Sequence, residues 1–152
     1  MKIANQNSGV LFDLDGTLID TAEDMTNILL DMIQKYDGDK KISMKVSRNY
    51  LSDGSIVLVR LGFPRATSDK ILELQKIYLS QCQKKLCIHT KFFHSLKSLT
   101  KHLEKNNIKW GIVTNKPTRM TLPLLAKLDE HIQHVISGDT ITKRKPDPEP
   151  LN

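Results

Sequence analysis

The stretch Gly9-Val10-Leu11-Phe12-Asp13-Leu14-Asp15-Gly16-Thr17 decides the reading of this chain. An apolar run ending in two carboxylates reads as a strand, Val10 to Asp13, that delivers charge to the edge of a sheet. Side chains alternate along a strand, so Asp13 and Asp15 are expected on one face, with Leu14 turned toward the core. Two like charges held this close are costly unless a cation lies between them or one keeps its proton. Either arrangement is chemically useful: one carboxylate ionised and nucleophilic, the other able to donate a proton. Gly16 permits a tight turn, and Thr17 adds a hydroxyl. A calcium-binding EF-hand loop also begins Asp-x-Asp, but it wants Gly sixth and Glu twelfth. Here Gly16 is fourth, Asp24 is twelfth, and a strand precedes. An Asp-Gly hairpin would need a partner strand immediately after, whereas Leu18 to Tyr36 carries a helical pattern. A surface cluster without function is the remaining alternative, and the paired carboxylates favour an active site over it.

Outward from this stretch the pattern is helical for a long way. Ala22, Met25, Leu29, Met32 and Tyr36 recur at helical spacing, predicting an amphipathic helix over 21–36 with Thr21 as N-cap. Asp37-Gly38-Asp39 stops it. A weak helix is expected over 45–51, a loop at Ser52-Asp53-Gly54, and a helix over 55–61 broken by Gly62-Phe63-Pro64. Ser68 is expected to cap a helix whose apolar face is Ile71, Leu74, Tyr78 and Cys82. Phe92, Leu96, Leu99 and Leu103 mark another helix, ending near Asn106-Asn107. Trp110 to Thr114 is a nearly continuous apolar run, as in a strand buried on both faces. A helix over 118–128 and a short strand over 134–137 follow. Strands alternating with helices imply an α/β fold with a parallel sheet. The block from Ile19 to Thr90 carries no strand pattern and reads as a helical insertion after the first strand.

Composition narrows the function. The length of 152 residues fits one domain, or a small domain with an insertion. The net charge of +6 comes mostly from lysines spread along the sequence without interleaved aromatics. That argues against nucleic-acid binding and is compatible with phosphate-bearing small molecules. Cys82 and Cys87 match no zinc or redox spacing. With a short polar N-terminus, Met1 to Ser8, in place of a signal peptide, they point to a reducing cytoplasm. No apolar run reaches membrane-spanning length. His131 and His134 lie three apart, but no third ligand is evident, and they read as surface histidines.

Ligands of open parallel sheets bind beyond the carboxyl ends of the strands. Three polar groups fall there: Asp13 and Asp15; Thr114-Asn115-Lys116 before a helix N-terminus whose amides can hold an anion; and Ser137-Gly138-Asp139 leading into Lys143-Arg144-Lys145-Pro146. Alone, Thr114 reads equally as a helix cap, and 143–145 equally as a solvated basic run. In this order and spacing the three together suggest a phosphate-handling site.

These residues carry a resemblance. Phe12-Asp13-Leu14-Asp15-Gly16-Thr17-Leu18-Ile19-Asp20-Thr21 resembles the first motif of the haloacid dehalogenase superfamily of aspartyl-nucleophile phosphatases. Ile108 to Pro117 resembles the second motif, with neighbours typical of the phosphoglycolate phosphatase branch. Ser137-Gly138-Asp139 with Lys145-Pro146 and Pro148 resembles the third. Ser52-Asp53-Gly54 resembles that branch's cap-domain specificity loop. The resemblance implies a Rossmann-like parallel sheet core with helices on both faces, built from 1–18 and 91–152, and a helical cap over 19–90. It implies a magnesium-dependent phosphatase acting on a small phosphomonoester, 2-phosphoglycolate foremost. Asp13 would be the nucleophile. Asp15 would protonate the leaving oxygen and then activate water. Asp13, through its side chain, and Asp15, through its main-chain carbonyl, would bind Mg2+. Thr114 and Asn115 would hold phosphoryl oxygens, Lys145 would neutralise charge, and Gly16, Thr17, Ser52, Asp53 and Gly54 would line the substrate. Asp15 argues against dehalogenation, since dehalogenases lack an acid there.

The resemblance also predicts what this sequence lacks. The family's fourth motif, an acidic cluster after a fourth strand, would lie beyond Asn152. The chain is therefore expected to be truncated, with strand one as a bare apolar edge open to a second copy of the chain. A smaller departure is Phe92-Phe93-His94, where many relatives carry a Pro-Gly turn. The alternatives are another capped phosphatase or phosphomutase of the branch, acting on a sugar phosphate or pyrophosphate, and a non-catalytic remnant that binds phosphate or a partner.

Overall fold

A computed structural model describes residues 9–39, 41–85, 87–128, 132 and 134–151; the side chain of Ser52 lies outside the description. The polar N-terminus 1–8 and His131 therefore fall outside the described residues. The chain divides into two compact units, one running to Ile19 and resuming at Phe92, the other spanning Asp20–Lys91.

The first unit is a parallel sheet in the order β1-β4-β5. Its strands are β1, Gly9–Phe12, β4, Lys109–Val113, and β5, Val135–Ile136. Gly9 lies opposite Lys109 and Phe12 opposite Ile112, while Ile112 also faces Val135. The middle strand is the apolar one, as a strand covered on both faces must be: Ile112 and Val113 are buried. Gly111 is required there, because a Cβ would come within 2.7 Å of the His134 carbonyl at the entry to β5. Phe12 meets Trp110 edge to face at 5.9 Å, an arrangement favoured by the ring quadrupoles. Helix α5, His94–Lys105, contacts β4, and α6, Thr118–Lys127, buries Met120, Thr121, Leu124 and Leu125.

The second unit is helical: α1, Ala22–Lys35, α2, Met44–Arg48, a 3-10 turn at Leu51–Asp53, α3, Ser55–Gly62, and α4, Ser68–Lys84. Leu29, Met32 and Ile33 of α1, Leu58 and Val59 of α3, and Ile71, Leu74 and Tyr78 of α4 form its core. The Tyr78 hydroxyl donates to the Met25 carbonyl at 3.0 Å, giving a wholly buried phenol the partner it needs. Gly38 lets the chain fold back, since a Cβ there would strike the Gly62 carbonyl. The left-handed turn falls on Asp37, at φ 53°. Asp24, nearly buried, accepts from the amides of Ile88 (3.1 Å), His89 (2.9 Å) and Thr90 (3.0 Å) and from the Thr90 hydroxyl (2.6 Å). It ties the segment leaving α4 to α1.

Several expectations are corrected. Thr21 makes no side-chain cap; Asp20 Oδ1 accepts from the Ala22 amide instead, at 3.1 Å. The α4 cap is Thr67, whose hydroxyl accepts from Lys70 N, and not Ser68. Two two-residue strands, β2 (Ile19–Asp20) and β3 (Lys91–Phe92), pair with each other. They are too short to leave a period in the sequence. Phe92 thus belongs to β3 and not to the helix, and Leu99 is 40% exposed. Strand β1 ends at Phe12, so Asp13 is not a strand residue.

Candidate active site

Beyond Phe12 the chain winds around Leu14, which is fully buried. The Leu14 carbonyl accepts from Leu18 N and Ile19 N, both at 3.0 Å, and Gly16 N donates to Ile19 O at 2.8 Å. This closure needs Gly16 at φ 80°, a conformation other residues rarely adopt. Leu14 does turn inward as expected. Asp13 and Asp15, however, are held by this loop and not by strand alternation, because the sheet has already ended. Thr17 sits exposed on the same loop.

Each carboxylate receives its own lysine. Lys145 Nζ donates to Asp13 Oδ1, and also to the Val113 carbonyl at the end of β4, at 2.8 Å. Lys116 Nζ donates to Asp15 Oδ1 at 2.9 Å. The side chains of Asp13 and Lys145 are 40% and 29% exposed, those of Asp15 and Lys116 21% and 9%. Lys116 was read in the sequence as part of the polar group Thr114-Asn115-Lys116 but was given no role of its own. Its adjacency to Thr114-Asn115 was the available signal, masked because lysine is ordinarily a surface residue.

Thr114 is buried at the end of β4, and its hydroxyl accepts from Lys116 N at 3.1 Å. It does not cap α6. The first amide of that helix, Thr118 N, donates to Asp139 Oδ1 at 2.8 Å, as does the Thr118 hydroxyl at 2.5 Å. The Thr118 hydroxyl and amide together hold the Asp139 carboxyl below its ordinary value of 3.8. The helix N-terminus expected to await an anion thus already holds one from the chain itself. Asn115 Nδ2 donates to the Lys145 carbonyl at 3.0 Å, so its amide steadies the lysine segment. Arg144 Nε donates to the Gly138 carbonyl at 2.6 Å. Gly138 must stay small, since a Cβ would strike the Asn115 backbone.

The structure therefore brings Asp13, Asp15, Thr114, Asn115 and Lys145 to one end of the sheet, with Lys116 added. Ser52, Asp53 and Gly54 lie in the second unit, where Gly54, at φ 94°, precedes α3. Among the described residues no three His, Cys, Asp or Glu side chains cluster as a metal site, and no helix is long and apolar enough to cross a membrane. Cys82 is buried and Cys87 half-buried, and neither is in a disulfide.

Comparison with known proteins places this geometry in context. Residues 10–152 match the family model described as haloacid dehalogenase-like hydrolase. An N-acetylmuramic acid 6-phosphate phosphatase of Pseudomonas putida is 36% identical over 147 residues, covering 93% of this chain and 65% of that protein. A phosphoglycolate phosphatase of Nitrosospira multiformis is 32% identical over 149 residues, with the same two coverages of 93% and 65%. The chain thus spans about two thirds of the length of these relatives. A crystal structure of a predicted phosphoglycolate phosphatase from Haemophilus somnus superposes with a TM-score of 0.80 at 21% identity, over 94% of this chain and 68% of that one. That likeness speaks for the fold.

Proposed function

The chain belongs to the haloacid dehalogenase-like hydrolase family, and from that premise we propose a magnesium-dependent phosphatase that hydrolyses a small phosphomonoester through an aspartyl phosphate on Asp13. The observation that carries this reading is the Lys145–Asp13 pair at the end of β4. It joins residues 132 apart in sequence and sets an ammonium beside a carboxylate at 40% exposure. Phosphoryl transfer needs positioning and charge neutralisation above all, and this pair offers both.

In the proposed reaction the Asp13 carboxylate attacks phosphorus and the leaving oxygen departs with a proton from Asp15. Water then attacks the aspartyl phosphate, gives its proton to Asp15, and frees Asp13 and inorganic phosphate. Thr114 and Asn115 flank the transferred group, and Lys145 offsets the charge that gathers on it. The donor set fits a hard divalent cation. Lys145 and Lys116 are each already engaged by a carboxyl group, of Asp13 and Asp15, so an arriving phosphate dianion wants further positive charge. Magnesium is commonly held by one or two carboxylates together with substrate phosphate. Asp13, by its side chain, and Asp15, by its main-chain carbonyl, would hold it, and it would supply neutralisation of the phosphoryl oxygens.

2-Phosphoglycolate is the first substrate to test, on the naming of the 32% relative. The 36% relative favours a second reading, a sugar phosphate. Both names describe a phosphomonoester that also bears a carboxylate, and an acidic phosphomonoester is the class proposed. We place substrate choice in the helical unit, at Ser52, Asp53 and Gly54. Phosphate release from 2-phosphoglycolate, N-acetylmuramic acid 6-phosphate and an aryl phosphate, with and without a chelator, tests the reading. Chelator-resistant release, or none from any ester, would overturn it. Asp53→Ala should reorder the two acidic esters while changing the aryl rate little; equal losses on all three would leave the loop only a structural role.

A further inference from the structure

Among the described residues Lys116 is more buried than the other lysines whose ion pairs are seen, Lys145 at 29% included. Lys70 and Lys85 are 48% and 45% exposed in their ion pairs with Glu73 and Asp31, and pairs of that kind contribute little. The Lys116 side chain is 9% exposed and reaches Asp15, 101 residues away in sequence. An ammonium so nearly removed from water is costly without a close partner, so this contact is held in place by the burial around it.

The backbone of Lys116 is equally fixed. Its amide donates to the Thr114 hydroxyl at 3.1 Å. Its carbonyl accepts from Gly138 N at 3.1 Å and from the buried Thr121 hydroxyl at 3.3 Å. The loop after β4, the loop after β5 and the first turns of α6 therefore all converge on one residue. The ammonium they aim is spent on Asp15, while Asp13 has Lys145. Each aspartate thus has a lysine.

We propose that Lys116 is a positioning residue that fixes the Asp15 carboxylate to receive the proton of the attacking water in the second half of the reaction; this rests on the phosphatase reading above. In that half the water oxygen bonds to phosphorus and the bond from phosphorus to Asp13 breaks. The electron pair returns to the Asp13 carboxylate, and the water proton passes to Asp15. Holding Oδ1 against Lys116 removes the rotation that would carry the carboxylate out of line, and misplacement of a catalytic group by even an ångström is costly. The first attack on an aryl phosphate needs no proton from Asp15, because a phenolate with electron-withdrawing substituents leaves unaided. That attack depends on Asp13 and Lys145, which pair with each other, whereas Lys116 pairs with Asp15.

Rapid-quench measurements on the protein with 4-nitrophenyl phosphate separate the halves. Lys116→Met should release the first equivalent of phenol about as fast as the wild type while steady turnover falls about 100-fold. Phosphorylated Asp13 should accumulate, detected by mass spectrometry. Lys116→Arg, which keeps a cation, should recover part of the turnover and accumulate less. A burst and a steady rate that fall together, or that both stay unchanged, would overturn the proposal. Should Lys116→Met not fold by circular dichroism, Lys116→Ala, which keeps no donor, decides by the same criteria. A wild type that never phosphorylates Asp13 would remove the phosphatase reading itself, a failure visible before any variant is made.

Discussion

At the scale of single residues, chemistry was legible where a polar side chain follows an apolar run. Asp13, Asp15 and Thr114 were singled out this way, and the structure brings them to one end of the sheet. Lys145 was found through the motif around it, and the structure adds the contact that explains it, an ammonium against Asp13. Lys116 was named in its polar triplet but given no role, because it is burial and not residue type that sets it apart. The reason given for pairing the aspartates also failed. Alternation along a strand required β1 to continue, whereas Gly16 and the Leu14 carbonyl close a loop. The assignment of roles predicts a difference between the two acids. Asp13→Asn should abolish turnover and leave no covalent adduct, since an amide is a poor nucleophile. Asp15→Asn should still accept a phosphoryl group from an aryl phosphate yet stall. Trapping of the phosphorylated protein reads both, and an active Asp13→Asn variant removes the nucleophile assignment.

At the scale of elements, periodicity located all six helices of the described residues, while their ends were set by contacts the sequence does not announce. Asp20 replaces Thr21 as the acceptor at α1, and Asp139 takes the first amide of α6 from a distance of 21 residues. The paired two-residue strands β2 and β3 left no period, whereas β5, equally short, was expected over 134–137. The most consequential of these hidden contacts is Asp24, which reads in sequence as an ordinary first-turn acid. It serves three amides and a hydroxyl across more than 60 residues. Asp24→Ala would orphan them in a nearly buried place, where an unmet donor costs roughly 1–3 kcal/mol. We expect a loss of about 3 kcal/mol in denaturant unfolding, against a total of about 5–15 kcal/mol for a typical domain. Asp24→Asn, which keeps one acceptor oxygen, should lose less. An Asp24→Ala midpoint equal to the wild type would show that the clamp contributes nothing.

At the scale of the whole molecule, the parallel sheet was legible from strand–helix alternation, and the three-strand order was not, because pairing partners are far apart in sequence. Among the described residues β1 pairs on one side only, with β4, and its Leu11 is 49% exposed. An unpaired, apolar edge strand is a template for a further strand. We predict that the 152-residue chain self-associates through this edge. Sedimentation should show mass rising with concentration, and Leu11→Lys should return it toward monomer. A wild-type chain that stays monomeric throughout sinks the idea.

The pairing of Gly9 with Lys109 carries a consequence for how the molecule comes into being. On a ribosome, β1 emerges long before its neighbour, and the sheet must wait for a partner about a hundred residues later. Closing so long a loop costs entropy that grows only with the logarithm of its length, and contacts of this separation slow folding. The helical stretch between them needs no such wait. It forms a compact unit of its own, Asp20–Lys91, so it can condense first and shorten the journey between the two strands. Pulsed hydrogen exchange during refolding should therefore protect the amides of α1 and α4 before those of β1 and β4. Simultaneous protection would mean that the two events are one.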